Sequence, residues 1–262
     1  MNRARCRGRD EGKMEDKDLK KFISRVMETD ESAPDLLHTL EGFRWYMTLY
    51  HCAIREVQTK FEVLNEELSL GNVRNPIDHI ESRVKSAESI VGKLRRMGCK
   101  FSLQSMTENL NDIAGIRVIC QYVDDIYTVA KMLGNQDDIE IIRIKDYIKN
   151  PKPNGYRSYH MIVEVPVFFS SKKHFVRVEV QFRTISMDFW ASLEHDIRYK
   201  KEIENPELLA ADLKECADIA SSLDTRMQML RDRIRPKASA AQVEKLAEKT
   251  EEMQQQGAER TA

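Results

Sequence analysis

At residues 154–166 the chain reads NGYRSYHMIVEVP, and at 174–184 it reads HFVRVEVQFRT. The second segment alternates without a slip. Val176, Val178, Val180 and Phe182 fall on one face of a strand, and Arg177, Glu179, Gln181 and Arg183 fall on the other. One apolar face is enough to pack a strand on a core, so the opposite row is either solvated or carries chemistry. The first segment favours chemistry. Asn154-Gly155 is a turn signal, and it delivers Tyr156, Arg157, Tyr159 and His160 at a loop-to-strand junction. Such a packet of rings and cations suits an anionic, aromatic ligand, which points to a nucleotide.

Upstream, His79, Glu81, Arg83 and Lys85 alternate with Ile80, Ser82 and Val84, the pattern of another strand. Ser86 can cap a helix that carries Ile90, Val91, Leu94 and Met97 inward and stops at Gly98. Ser105-Met-Thr-Glu108 reads as a capping box. Residues 116–121 read as a strand with Arg117 and Gln121 on one face, 124–133 as a helix and 139–144 as a strand. A polar loop at 146–155 bears Lys149, Pro151, Lys152 and Pro153, and 159–165 is a strand joined to the last one by a turn at 169–173. An amphipathic helix follows at 187–199. This order predicts an α+β domain: a mixed sheet of about five strands flanked by helices.

Two long heptad stripes bracket the domain. Leu36, Leu40, Phe43, Met47, Tyr50, Ile54, Val57, Phe61, Leu64 and Leu68 recur by fours and threes, as do Leu209, Leu213, Cys216, Ala220, Leu223, Met227, Leu230 and Ile234. Stripes of this length predict that each helix packs on another long helix, from this chain or from a second copy. The expected organisation is a charged, mobile segment at 1–31 with a short helical piece near 19–26, one domain at 32–235, and a polar, disordered tail at 236–262.

The totals exclude several classes. The 262 residues hold 41% apolar and 32% charged side chains, with 42 Lys plus Arg against 43 Asp plus Glu and a net charge of -1. That balance argues against a nucleic-acid coat, although Arg3, Arg5, Arg7 and Arg9 could touch RNA. No apolar run reaches the roughly 20 residues of a membrane span. Five cysteines stand singly, without a CxxC pair, which fits a reducing cytoplasm better than a disulfide frame or a zinc knuckle. There is no GxGxxG and no Walker loop, so phosphates would have to be held by side-chain cations.

Asp112, just before the strand of Arg117, and Glu179, in mid-strand, are the two carboxylates placed for chemistry. Such a pair is the least that Mg²⁺ needs, because magnesium keeps several waters and takes further ligands from phosphates. Two bland readings compete: Asp112 as a turn cap, and Glu179 as a cross-strand partner of Arg177 or Arg183.

The runs RVKSAESIVGK (83–93), DIAGIR (112–117), GYRSYH (155–160), EVQFRT (179–184) and FWASLEH (189–195) resemble the synthetase domain of the RelA/SpoT family. With helices on both sides, the chain resembles its stand-alone small alarmone synthetases of the RelQ type. The resemblance implies a nucleotidyltransferase-like sheet and a homotetramer built through the long terminal helices. The implied reaction is transfer of pyrophosphate from ATP to the 3′-hydroxyl of GDP or GTP. It further implies that Arg83 and Arg117 sandwich adenine, Lys85 and Lys93 hold the ATP phosphates, and Asp112 and Glu179 bind Mg²⁺, with Glu179 also taking the hydroxyl proton. Tyr156 would stack on guanine, while Lys145, Lys152 and His160 hold the acceptor phosphates and Gln181 lies beside Glu179.

Three positions depart from the RelQ pattern of activation by product: His79, Glu81 and Asp188, where carboxylates would oppose an anionic effector. His195-Asp196 is the one His-Asp pair and has no companion histidines at metal spacing, so synthesis without hydrolysis is expected. Two other readings are a toxic relative that modifies adenosine nucleotides or tRNA, and a silent nucleotide- or RNA-binding regulator. The intact Asp112 and Glu179 speak against the silent one.

Overall fold

A computed structural model describes residues 6–8, 36–70, 74–199 and 206–234. The alternating segments become strands: β1 (Cys6–Gly8), β2 (Ile77–Val84), β3 (Ala114–Cys120), β4 (Glu140–Asp146), β5 (Tyr159–Phe168) and β6 (Lys173–Thr184). They form one sheet in the order β1-β2-β3-β6-β5-β4. The β3–β6 and β1–β2 pairs are parallel and the rest antiparallel, so the sheet is mixed as expected. A bulge between Ile77 and His79 lets both Ile77 and Ile80 face the core although three positions separate them. The remainder of the charged N-terminal segment, its short helix, and the tail at 236–262 lie outside the described residues.

The helices are α1 (Leu36–Leu70), α2 (Ala87–Arg96), α3 (Leu103–Asn109), α4 (Val123–Gly134), α5 (Ile185–Tyr199) and α6 (Pro206–Ile234). Ser86 caps α2, as read from the sequence. The cap of α3 is Ser102, which accepts from the Ser105 N–H at 2.9 Å, so the expected capping box at Ser105 instead lies inside the first turn.

The heptad reading of α1 needs correction. Its stripe lies against the apolar face of the sheet: Leu40, Phe43, Tyr50, Ile54, Val57, Phe61 and Leu64 are buried, and the Phe61 ring meets Phe182 edge-on at 6.0 Å. A period of three and four marks one buried face, and a sheet covers such a face as well as a helix does. With Ile126, Val129 and Leu133 of α4 and Met106 of α3, these residues make a single core. The second long helix does not partner α1 either. α6 packs on α5, where Leu213 and Ala217 close over Trp190, whose indole N–H donates to the Leu213 carbonyl at 2.7 Å. Beyond that contact Leu223, Met227, Leu230 and Ile234 are exposed.

Candidate active site

Strand register lines up five polar side chains, one from each of β2 to β6, straight across the face turned away from α1. Glu81 lies opposite Arg117, Arg117 opposite Gln181, Gln181 opposite His160, and His160 opposite Lys145. Two residues along, Arg83 lies opposite Gly115 and Gly115 opposite Glu179. Gly115 leaves the floor between Arg83 and Glu179 bare, since a Cβ there would come within 4 Å of Arg83 alone.

Asp112 enters this face from the residues leading into β3. It is paired with both Lys85 and Lys93, the latter at 2.7 Å. Burial alone would raise its pKa, but the two ammonium groups outweigh that and hold the carboxyl below its usual range. Glu179 is governed the same way. Burial pushes it up, and hydrogen bonds from His160 Nδ1 (3.3 Å) and Gln181 Nε2 (2.7 Å) more than reverse this. The charge of Asp112 acts on Glu179, so the two carboxylates share one electrostatic environment. Asp112 Oδ1 is buried and, among the described residues, has no hydrogen-bond partner. A buried anionic oxygen left bare is costly, and a hard cation between two ionised carboxylates would remove that cost, so the residues present fit a magnesium ion. Among the described residues no cluster of three His, Cys, Asp or Glu forms a richer metal cage.

Around Tyr156 the face carries a closed ring of hydrogen bonds. Arg183 Nη2 donates to the Tyr156 hydroxyl at 2.9 Å, that hydroxyl meets His160 Nε2 at 2.9 Å, and His160 Nδ1 meets Glu179. Gln181 joins Glu179 and returns to Arg183 through its Oε1 at 3.3 Å. Lys152 Nζ sits 4.7 Å from the Tyr156 ring centre and 4.8 Å from that of Tyr147. Lys145 is exposed on the edge strand facing His160.

At the β2–β3 end of the face Arg83 and Arg117 are diagonal neighbours. Diagonal neighbours stand about 7–8 Å apart, and a flat ring between two guanidinium planes at van der Waals contact needs about 7 Å. Arg117 Nη1 donates to Glu81 at 3.2 Å and is ion-paired with Asp188, also at 3.2 Å. Its pKa is lowered by burial first and by the nearby Arg183 and Arg83 cations, against the pull of those carboxylates.

Thus the predicted residues Arg83, Lys85, Lys93, Asp112, Arg117, Tyr156, Lys152, His160, Glu179, Gln181 and Lys145 all belong to this face or its rim. Arg157 does not: it is drawn to α6, binding the Asp218 carboxylate at 3.0 Å and the Ala217 carbonyl. Neither bland reading describes the carboxylates. Arg177 pairs with Glu164 and Asn111, and Arg183 with Asp188, so their ion pairs lie away from Glu179. Sequence reasoning missed Tyr147, hidden in a loop read only for its lysines, and the double grip of Asp188, which joins residues far apart in the chain. His79 is held by Asp78 at 2.8 Å. His195 and Asp196 are strongly exposed on α5.

Residues 82–204 match the family described as a region found in RelA and SpoT proteins. The chain is 47% identical to the GTP pyrophosphokinase YwaC of Bacillus subtilis over 74% of its own length and 92% of that protein. Its structure is similar to that of the small alarmone synthetase 2 of Bacillus subtilis, with a TM-score of 0.66 and 46% identity over 73% of this chain and 98% of the other. It is also similar to small alarmone synthetase 1 of that organism bound to its product pppGpp, with a TM-score of 0.68 and 34% identity over 74% and 98%.

Proposed function

We propose that this chain, which belongs to the RelA/SpoT family, transfers pyrophosphate from ATP to the 3′-hydroxyl of GDP or GTP, making ppGpp or pppGpp and AMP. The observation that carries this is the pair of ionised carboxylates, Asp112 and Glu179, set between the cations of the donor side and the Tyr156–His160 group of the acceptor side.

Adenine stacks between Arg83 and Arg117, whose flat faces lysine could not supply. Lys85 and Lys93 meet the ATP phosphates. Guanine lies on Tyr156, from whose ring Lys152 moves to the acceptor phosphates together with Lys145. The acceptor 3′-oxygen bonds to the β-phosphorus as the bond from that phosphorus to the α,β-bridging oxygen breaks and AMP departs. The hydroxyl proton passes to Glu179, which His160 and Gln181 hold in place. A magnesium ion held by Asp112 and Glu179 would supply neutralisation of charge on the transferring group.

The reading extends to synthesis without hydrolysis, since His195-Asp196 is the one His-Asp pair of the sequence and lies exposed on α5. It extends to a homotetramer in the cytoplasm, supported by the uncovered apolar stripe of α6; no helix of the described residues is long and apolar enough to cross a membrane. Incubation with ATP labelled on its β-phosphate, Mg²⁺ and GDP, GTP, ADP or tRNA in turn tests it. Label should move to GDP or GTP with release of AMP. Transfer to ADP or tRNA alone, or manganese-dependent loss of ppGpp, would overturn the corresponding part.

A further inference from the structure

Asp188 stands in the first turn of α5, at the junction of the two halves of the site. Its Oδ1 takes Arg117 Nη1 at 3.2 Å and Arg183 Nη1 at 2.8 Å. Arg183 is only 6% exposed, and its other terminal nitrogen holds the Tyr156 hydroxyl at 2.9 Å. Arg117 and Tyr156 are therefore joined through direct contacts in the order Arg117, Asp188, Arg183, Tyr156.

We propose, on the reading of Arg117 as a donor-base residue and Tyr156 as the acceptor-base residue, that Asp188 is a positioning residue tying the two substrate sites together, so that ATP and the guanosine nucleotide bind more tightly as a pair than singly. Two guanidinium groups converge on one carboxylate oxygen and would repel each other without it. A base stacked on Arg117 fixes the guanidinium that donates to Glu81 and ion-pairs with Asp188, so stacking reinforces the tie. A donor nucleotide that fixes Arg117 fixes Asp188, then Arg183, then the Tyr156 hydroxyl. The acceptor acts in the opposite direction, and linkage requires the two effects to be equal. Glu179 gains from the same tie, because Arg183 also holds Gln181, which holds Glu179.

The test is equilibrium binding of α,β-methylene ATP to the full chain with Mg²⁺, with and without GDP, and of GDP with and without the analogue. In the parent each ligand should tighten the other about fivefold. In Asp188→Asn both factors should fall below about twofold while each ligand alone still binds. Tyr156→Phe keeps the ring that stacks and removes the hydroxyl's contacts with Arg183 and His160, so it should lose the mutual tightening as well, which a role for Asp188 in folding alone would not produce. Full tightening in Asp188→Asn or in Tyr156→Phe, or none in the parent, overturns the proposal alone. Failure of either ligand to bind the parent by itself, or unchanged analogue affinity in Arg117→Ala, overturns the reading beneath it.

Discussion

Replacing Gly155 by alanine should damage both the fold and the acceptor side, through two separable effects. Gly155 has φ +86°, in the left-handed region, where a side chain costs about 1–2 kcal/mol. A Cβ there would also stand 2.6 Å from the Ala217 Cβ and 3.5 Å from the Lys214 carbonyl oxygen, so α6 would have to retreat by about 1 Å to restore ordinary contact. Overpacking of that kind costs about 1–3 kcal/mol. Together the two are worth about 3 kcal/mol, which in a chain of this size lowers Tm by roughly 10 °C. The retreat also pulls on Arg157, which binds the Gly155 and Ala217 carbonyls and Asp218, and it displaces Tyr156 next in sequence. The KM for GDP or GTP should therefore rise more than the KM for ATP. Calorimetry on Gly155→Ala, Ala217→Gly and the double variant separates the terms. With glycine at 217 the steric part vanishes, so Gly155→Ala should cost only about half as much there. Equal losses in both backgrounds, or a fall in Tm under about 2 °C, would refute the reasoning.

Glu179→Gln should bind the ATP analogue within about threefold of the parent yet lose turnover by about 10²–10⁴-fold, and retained turnover would remove Glu179 from proton transfer. Asp224 receives the Thr184 hydroxyl at 2.6 Å, and its pKa is raised by burial, with the Ser186 and Thr184 hydrogen bonds opposing. The folded chain thus holds this proton more tightly than the unfolded one, and the stabilisation present at acid pH is lost as pH rises through the raised value. Asp224→Asn should accordingly have a higher Tm than the parent at pH 7 and no advantage at pH 4; the reverse order would contradict the assignment. Added pppGpp should change the initial rate little, because the Arg117 cation is already held by Glu81 and Asp188 and is not free to meet an anionic effector, and several-fold stimulation would overturn this. Light scattering should give a tetramer that dissociates when Leu223 and Met227 are replaced by Glu, whereas a monomeric parent would reject assembly through α6.

Alternation in β6 and the turn before Tyr156 were enough to foretell a polar sheet face carrying nucleotide chemistry, because a period of two is a local property of the chain. What lies opposite that face is not local. The line of Glu81, Arg117, Gln181, His160 and Lys145 depends on β3 pairing in parallel with β6, a register that no stretch of either strand encodes alone. The heptad stripe of α1 shows the same limit from the other side: it reports that one face is buried, and only the assembled sheet says by what. Asp188 is the sharpest instance. Read along the chain it is a helix-start carboxylate in a position that would repel an anion. In space it accepts from Arg183 and ion-pairs with Arg117, two arginines delivered by different strands, so its charge is already answered. A residue's sign can be read from sequence, but the sign of its effect on a ligand depends on which charges the fold has already placed against it.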